Sequence, residues 1–484
     1  MITPTLKTLL ATIDNALAVT PKGKVKVKDE TLLRAKIQAL AEKSALGSGP
    51  EQGAARWLIW EAALALGIMP ASINGLYVAR GRGETPTNFT VPAINLRALT
   101  FESARAVFRA AASIDASAFI FEIARSEMSY TNQRPAEYTA SILAAAIAEG
   151  YRGPVCIQGD HFQVNHKKYL ANPEAEVQVV KELTAEAIAA GFYNIDVDTS
   201  TLVDISLPSI PEQQADNARR CAELTAYIRE LEPKGVTISV GGEIGEVGLK
   251  NSTEVELRAF MDAYNADLLE RPVKGPGKHR KRGSVAGISK ISIQTGTSHG
   301  GTVLPDGTIK DISVDFDTLR RLSFVARKEY GMAGAVQHGA STLPENAFGK
   351  FPECEACEVH LATNFQNMLF NAMPATLKAE IYDWLRVNAA DERKPTDTDD
   401  QFFYKSRKKA IGPFKAKTWG LPEADRAAIA EAWEKQFKFL FTQLNIGNTR
   451  ALMEKHVEAV AVHKTLADFG AAEKEAEDVT GLAD

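Results

Sequence analysis

The chain has 484 residues, of which 45% are apolar and 24% charged, and its formal net charge is −5 at pH 7. This composition is ordinary for a globular protein with a sizeable core, and it excludes the strongly basic surface typical of nucleic-acid-binding proteins. No apolar run reaches the ~18 residues that cross a membrane, and the N-terminus lacks the basic start and cleavage site of a secretory signal.

The cysteines indicate the cellular compartment of the protein rather than a metal or redox site. The chain has four of them and no visible disulfide framework, which is typical of a reducing cytoplasm. Cys354 and Cys357 have CxxC spacing, but a zinc ribbon needs a second such pair and the chain has none. We therefore interpret them as reduced thiols and expect a cytoplasmic protein that contacts neither nucleic acid nor membrane.

The first segment, residues 1–84, is predicted to be a helical N-terminal extension. The stretches TLLRAKIQALAEKSA and AARWLIWEAALAL carry apolar residues at helical spacing, and GSGPEQG separates them. A patch rich in glycine, arginine, threonine and proline, residues 79–88, then marks a loop or linker.

The middle segment, residues 85–375, alternates between short apolar runs and alanine-rich helical stretches. The runs are almost continuously apolar, which is typical of parallel strands covered on both faces. The predicted strands are FTVPAINL (89–96), SAFIFEIA (117–124), PVCIQGDH (154–161), YNIDVDT (193–199), VTISVGGEIG (236–245), ISIQTG (291–296), GAVQHG (334–339) and CEVHLAT (357–363). Eight such strands interleaved with helices predict an α/β fold, a (β/α)8 TIM barrel. A doubly wound open sheet usually carries a glycine fingerprint after its first strand, and INLRALTF has none.

The last segment, residues 376–484, lacks strand patterns and is predicted to be a helical C-terminal extension. A basic stretch, RPVKGPGKHRKRGS (271–284), precedes the sixth predicted strand. It is either a solvated insertion or a flap that attracts phosphorylated ligands, and the sequence leaves both interpretations open.

Three of the eight histidines lie at or just after the ends of predicted strands three, six and seven: His161, His299 and His338. Each has glycine or another small residue beside it. Because the carboxyl ends of barrel strands surround one mouth, we expect these imidazoles to converge. Three histidines with an open fourth position form a ligand set of catalytic zinc. A single one would more simply be a hydrogen-bonded core residue, but three matching positions favour a metal site.

Carboxylates accompany these histidines. Asp160, Asp196 and Glu243 end predicted strands three, four and five. Burying a carboxylate costs several kcal/mol unless it is paired or bound to a metal, so their positions favour a nearby cation. Asp198 could equally cap a helix or a turn, and we leave it unassigned.

The ordered motifs VPAINL, GDHF, NID, GGEIGEVG, GTSHGG, QHGAS and VHLAT resemble those of the class II, metal-dependent fructose/tagatose-bisphosphate aldolases. The resemblance covers residues 89–375, and YKSRKKAIGPFK in the tail also resembles a family segment. It implies a zinc-dependent lyase that reversibly cleaves a phosphorylated ketose, fructose- or tagatose-bisphosphate-like, to a triose phosphate and an aldehyde. It also implies a homo-oligomer, either a dimer or a tetramer.

The resemblance further implies roles for individual residues. His161, His299 and His338 would bind the zinc, and Asp196 and Glu243 would form an alternative or second position for a divalent or monovalent cation. Asp160 would be the acid/base that exchanges a proton with the substrate's C4 hydroxyl. The residues implied to contact the ketose phosphate are Asn95, Gly300, Ser341 and His360. Zinc would act as a Lewis acid for the negative charge that aldol cleavage leaves beside a ketone.

The chain departs from the family pattern in its substrate contacts. Family members commonly place a lysine shortly after the second histidine motif, but here the first one is Lys310. His360 stands where the family usually has asparagine on strand eight. Glu246 is the nearest candidate for the acidic residue whose carboxylate would abstract the carbon-bound proton as a base. The barrel and the metal set are intact, and the identity of the ketose stays open.

Three other functions remain as alternatives. The chain could be a catalytically silent, aldolase-like regulatory or scaffold subunit, or another metal-dependent barrel enzyme such as a hydrolase. A Schiff-base aldolase needs a desolvated lysine inside the barrel. Lys290 lies at the beginning of the sixth predicted strand, which disfavours this third function.

Overall fold

The computed structural model describes residues 3–245, 250–273, 285–296, 304 and 313–470. Its N-terminal part combines the predicted helices with three short strands that the sequence pattern did not indicate. The strands are β1 (Leu17–Val19), β2 (Val25–Val27) and β3 (Ile68–Ala71). The helices are α1 (Pro4–Thr12), α2 (Glu30–Lys36), α3 (Gln38–Leu46), α4 (Gly49–Ala65) and α5 (Asn74–Gly81).

A closed barrel of eight parallel strands follows, as the sequence predicted. The strands are β4 (Val91–Asn95), β5 (Ile120–Ala124), β6 (Gly153–Gln163), β7 (Asn194–Asp198), β8 (Ser239–Glu243), β9 (Lys290–Ile293), β10 (Ala335–Gln337) and β11 (Glu358–Leu361). Each strand pairs with the next one along the chain, and β11 pairs with β4 to close the ring. Each strand overlaps one of the eight predicted stretches.

Helices cover the outside of this barrel and continue into the C-terminal part. The barrel helices are α6 (Thr100–Ala112), α7 (Arg125–Tyr130), α8 (Pro135–Ala148), α9 (His166–Ala171), α10 (Pro173–Ala189), α11 (Ile210–Leu231), α12 (Glu254–Glu270), α13 (Phe316–Tyr330), α14 (Lys350–Glu353) and α15 (Thr363–Ala372). The C-terminal helices are α16 (Ala375–Asn388), α17 (Asp399–Ser406), α18 (Lys415–Trp419), α19 (Glu423–Gln443) and α20 (Arg450–His456). No helix in the described ranges has the length and apolar character needed to cross a membrane.

The extensions are tied to the barrel by pairing and by hydrogen bonds. Strand β3 pairs in parallel with the first half of β6, from Ile68 beside Gly153 to Ala71 beside Cys156. At the other end of the chain, the carbonyls of Val462 and Lys464 accept hydrogen bonds of 2.9 Å from the indoles of Trp60 and Trp57 on α4. The domain boundaries after residues 84 and 375 stay predictions.

Arg80 on α5 holds together the loops that enter three barrel strands. Its side chain is 1% exposed and donates hydrogen bonds of 2.7–3.2 Å to five backbone carbonyls. These carbonyls belong to Thr87 and Phe89 before β4, Ala333 before β10, and Glu355 and Ala356 before β11. Helix α5 therefore lies against the amino ends of these three strands.

A bulge near the carboxyl end of β6 sets the direction of two titratable side chains. Gly159 pairs with Ile195 and Phe162 pairs with Val197, so that Asp160 and His161 together face a single residue of β7. His161 adopts a φ of 41°, in the left-handed region. The bulge interrupts the normal in–out alternation of a strand, and consecutive residues can then both reach the barrel mouth.

We expect Arg80→Met to lower the free energy of unfolding by about 3–5 kcal/mol, because several buried carbonyls lose their donor at once. Arg82→Met, a change on the exposed neighbour, is the matched control and should cost less than about 0.5 kcal/mol. Urea denaturation of both variants measures the difference. Similar losses in the two variants would contradict the role given to Arg80.

Gly159→Ala should destabilise the protein by about 1–3 kcal/mol through overpacking. A Cβ at Gly159 would lie 2.3 Å from Cε1 of Phe162, whose ring packs over the bulge. The double variant Gly159→Ala/Phe162→Leu should recover part of the loss in a thermal melt. Gly287→Ala is the control, since its Cβ would meet nothing closer than 3.6 Å. No recovery in the double variant would show that the ring is not the obstacle.

Candidate metal centre

A pocket opens at the carboxyl ends of the barrel strands. Five of the residues that the sequence singled out line it: Asp160, His161, His338, Ser341 and His360. The remaining lining residues are Arg97, Glu122, Glu127, Gly339, Thr342, Ala362 and Thr363. In a (β/α)8 barrel this end is where active sites form, so the pocket is the candidate site.

His161 is oriented by a carboxylate that the sequence analysis left unassigned. Its Nδ1 lies 2.9 Å from Oδ2 of Asp198. Asp198 also accepts hydrogen bonds from Gln163, at 2.6 Å, and from Ser200. This contact fixes the ring so that Nε2 faces Asp160, whose Oδ1 is 3.9 Å away. A carboxylate behind an imidazole is the usual support of a metal-binding histidine.

His338 faces His161 across the pocket. Their ring centroids are 4.4 Å apart, and Nε2 of His338 lies 2.9 Å from Oγ of Ser292. One ligand atom each from His161, His338 and Glu243 lies within 4.8 Å of the others. Two atoms that each lie ~2.1 Å from one zinc ion are at most ~4.2 Å apart, so a small movement brings this donor set to bonding distance. The residues present fit a zinc ion at this position.

The electrostatic field at the two rings favours a cation. Burial alone would lower the pKa of His161, but the carboxylates of Asp160, Asp198 and Glu243 outweigh it and raise that pKa well above its usual value. Burial, reinforced by Asp198, raises the pKa of Glu243 to about 8. The same carboxylates that hold a proton on His161 would stabilise a metal ion, with which that proton competes.

His360 connects the pocket to carboxylates deeper in the barrel. Its Nδ1 lies 3.2 Å from Oδ1 of Asp160 and 2.9 Å from Oε2 of Glu122. Its Nε2 lies 2.8 Å from Oε1 of Glu358. Burial acts against the charge, yet Glu122 and Asp160 raise the pKa of His360 well above its ordinary value. These carboxylates therefore favour the charged form of His360 beside the expected acid/base, Asp160.

Asp196 and Glu243, implied as a second cation position, have different partners. Glu243 lies 3.6 Å from Nδ1 of His161, at the mouth. Asp196 instead contacts the ammonium of Lys290, with distances of 2.9 and 3.1 Å to its two oxygens. Glu243 is thus grouped with His161 and His338, and Asp196 with Glu358 and His360, while the second cation position stays a prediction.

Lys290 lies inside the barrel although it is the first residue of its strand. Its side chain is 0% exposed. Burial would lower the pKa of Lys290, but Asp196 and Glu358 outweigh burial and raise it above the ordinary value. A Schiff-base aldolase needs a neutral amine as nucleophile, and this ammonium is stabilised in its protonated form. The electrostatics, rather than the position in the strand, therefore disfavour that mechanism.

Asn95 and Ser341 have separate hydrogen-bond partners, and of the two only Ser341 lines the pocket. The amide of Asn95 donates a 2.6 Å hydrogen bond to Glu127, which also pairs with Arg97 at 2.6 Å. Oγ of Ser341 accepts a 2.5 Å hydrogen bond from the backbone N–H of Ala362. This bond leaves the hydroxyl hydrogen of Ser341 to donate toward the pocket.

Three expected site residues, Glu246, His299 and Gly300, lie outside the described residues, as do residues 274–284 of the basic stretch. The sequence patterns did not indicate three further residues of the site, Glu122, Glu127 and Glu358. All three are 0–1% exposed acidic residues in or directly after apolar strands. A carboxylate within such a strand, as in IFEIA and EVHL, was a signal that could have found two of them.

A solved structure supports the fold. A probable tagatose 6-phosphate kinase from Sinorhizobium meliloti matches with a TM-score of 0.50 and 16% identity, covering 79% of this chain and 96% of that one. A fructose-bisphosphate aldolase from Campylobacter jejuni matches with a TM-score of 0.42 and 16% identity, covering 76% of this chain and 92% of that one. Among curated proteins, no relative matches this chain.

The family comparison is more specific than these structural matches. The model of the family described as fructose-bisphosphate aldolase class-II matches residues 85–418, which is more than half of the chain. The match spans all eight barrel strands and every residue named above as lining the pocket. This protein belongs to the class II fructose-bisphosphate aldolase family.

Proposed function

We propose that this chain is a zinc-dependent aldolase that reversibly cleaves a phosphorylated ketose, fructose- or tagatose-bisphosphate-like, to a triose phosphate and an aldehyde. One observation carries the proposal. A single carboxylate oxygen, Oδ1 of Asp160, lies 3.9 Å from Nε2 of His161 and 4.0 Å from Nδ1 of His338. An acid/base thus stands beside the two imidazoles that would hold the metal, as aldol chemistry requires.

Asp160 is the residue that moves the proton in this proposal. In cleavage it takes the proton of the substrate hydroxyl next to the breaking carbon–carbon bond, and in condensation it returns that proton. His360, 3.2 Å away, orients the carboxylate and stabilises its charged form. A zinc ion bound by His161, His338 and His299 would supply the Lewis acid that stabilises negative charge on the ketone oxygen.

The phosphate of the substrate would bind to hydroxyl groups of the pocket. Ser341, Thr342 and Thr363 are among its lining residues, and Oγ of Ser341 accepts a hydrogen bond from the backbone N–H of Ala362. Hydroxyl and backbone N–H donors can bind a phosphate without a lysine, which accords with the missing family lysine. The proposal keeps Gly300 as a further backbone donor, Asn95 as a ketose contact and Glu246 as the base for the carbon-bound proton.

Two expectations from the sequence complete the proposal. We propose a homo-oligomer, a dimer or a tetramer, which light scattering after gel filtration measures. We also propose a reducing, cytoplasmic setting, which accords with four free and buried cysteines, Cys354 and Cys357 among them.

Removing the metal should abolish turnover. We expect a chelator to inactivate the purified protein and zinc to restore it, when triose phosphate release from a panel of phosphorylated ketoses is followed by a coupled assay. His338→Ala should lose most bound zinc by elemental analysis, whereas the exposed His166→Ala, the control, should keep it. Full turnover in the presence of the chelator would refute zinc dependence, and bound zinc without turnover of any ketose would favour the silent, regulatory subunit.

Asp160→Asn should separate metal binding from proton transfer. We expect kcat to fall by about 10²–10⁴, the usual contribution of a general acid/base, while zinc content stays near that of the unaltered protein. Asp216→Asn on the exposed face of α11 is the matched control and should leave kcat unchanged. A kcat for Asp160→Asn within a factor of about two of the unaltered protein would assign the proton to another group.

A further inference from the structure

A second group of charged side chains lies in the barrel below the pocket. The ammonium of Lys290 contacts Asp196, the carboxylate of Glu358, and Oε1 of Gln158 at 2.7 Å. Glu358 also accepts hydrogen bonds from Gln158, at 3.0 Å, and from the hydroxyl of Tyr77. The three hydrogens of the ammonium therefore have oxygen partners on three residues, and each of these residues lies on a barrel strand with its side chain in the barrel interior.

The backbone of β8 leaves room for this group. A Cβ at Gly241 would lie 2.3 Å from Oδ1 of Asp196 and 2.9 Å from Cε of Lys290. Any larger residue would displace the ion pair. The missing side chain at Gly241 is thus a second observation, independent of the charges, that the interior is built around an ammonium at this position.

The same carboxylates could otherwise hold a metal ion. Ligand atoms of Asp196, Glu358 and His360 lie within 4.8 Å of one another, which is a donor set for a divalent cation. A metal placed there would lie against the ammonium of Lys290, and two cations in a buried site repel each other strongly. The ammonium of Lys290 is covalently attached to the chain and is therefore always present, so it excludes a diffusible metal ion from this position.

We propose that Lys290 is a built-in cation that takes the place of a second metal ion at Asp196, so that the barrel binds one metal ion, at the mouth. The expectation of a single bound metal ion rests on the proposed zinc centre at His161 and His338. The occupation of the inner site by Lys290 does not depend on that centre. In this arrangement Asp196 is a partner of Lys290 and not a ligand of the catalytic metal. Lys290 is a positioning residue, since it acts on the pocket through its partners: Glu358 contacts His360, and Gln158 donates to Glu122.

The test counts zinc ions by elemental analysis after equilibrium dialysis of the full chain. The unaltered protein should bind one zinc ion per chain. Lys290→Ala removes the ammonium and leaves a space with two carboxylates, so it should bind two. Lys290→Met is the matched control, because it loses the same charge but fills the space, and it should bind one. A folded Lys290→Ala variant that still binds one zinc would overturn the proposal.

Asp196→Asn keeps the test decisive if Lys290→Ala fails to fold. This variant retains Lys290 and changes one atom of its partner, and it should bind as much zinc as the unaltered protein. An unaltered protein that binds two zinc ions, with one lost in Asp196→Asn, would show that Asp196 is a metal ligand and would refute the inference. An unaltered protein that binds no zinc would refute the proposed function, while a gain of one ion in Lys290→Ala would still support the inner site.

Discussion

The structure depends on neutralising carboxylates inside a closed barrel. Glu122, Asp160, Asp196 and Glu358 are at most 6% exposed, and isolated buried carboxylates of this kind would shift their pKa or unfold the barrel. In the described part of the barrel interior, the ammonium of Lys290 contacts Asp196 and Glu358. The imidazole of His360 contacts Glu122, Asp160 and Glu358. Among the described residues that line the pocket, the carboxylates of Glu122, Glu127 and Asp160 accompany one guanidinium, that of Arg97, and this excess of negative charge favours a metal ion there.

Strand geometry explains why these groups meet. Glu358 and His360 are two residues apart on β11, so both point to the barrel interior, and Gln158 and Asp160 do the same on β6. The bulge after Gly159 then adds His161 to the mouth without removing Asp160. A regular strand would have turned one of these two side chains toward the helices. The acid/base and the metal-binding ring are therefore neighbours in sequence because the strand is irregular at that point.

The sequence was sufficient for the barrel and for much of the mouth. Continuous apolar runs located all eight strands, and histidines after strand ends predicted that His161 and His338 converge. The sequence was not sufficient for the interior, because a single buried Lys290 or Glu122 has no periodic pattern of its own. The roles of these two residues depend on partners that other strands of the barrel supply. Strand β3 was missed for a related reason, since IMPA is too short to be distinguished from the end of the preceding helix.

The N-terminal part contributes to the same electrostatic balance. The hydroxyl of Tyr77 on α5 donates to Oε2 of Glu358, whereas Lys290 and His360 contact the other oxygen, Oε1. Arg80, one turn later, fixes α5 to the loops before β4, β10 and β11. A contact chain thus runs from Tyr77 through Glu358 and His360 to Asp160. Since a buried carboxylate is sensitive to each of its donors, the helix that lies against the amino ends of these strands also helps to set the charge at the barrel mouth.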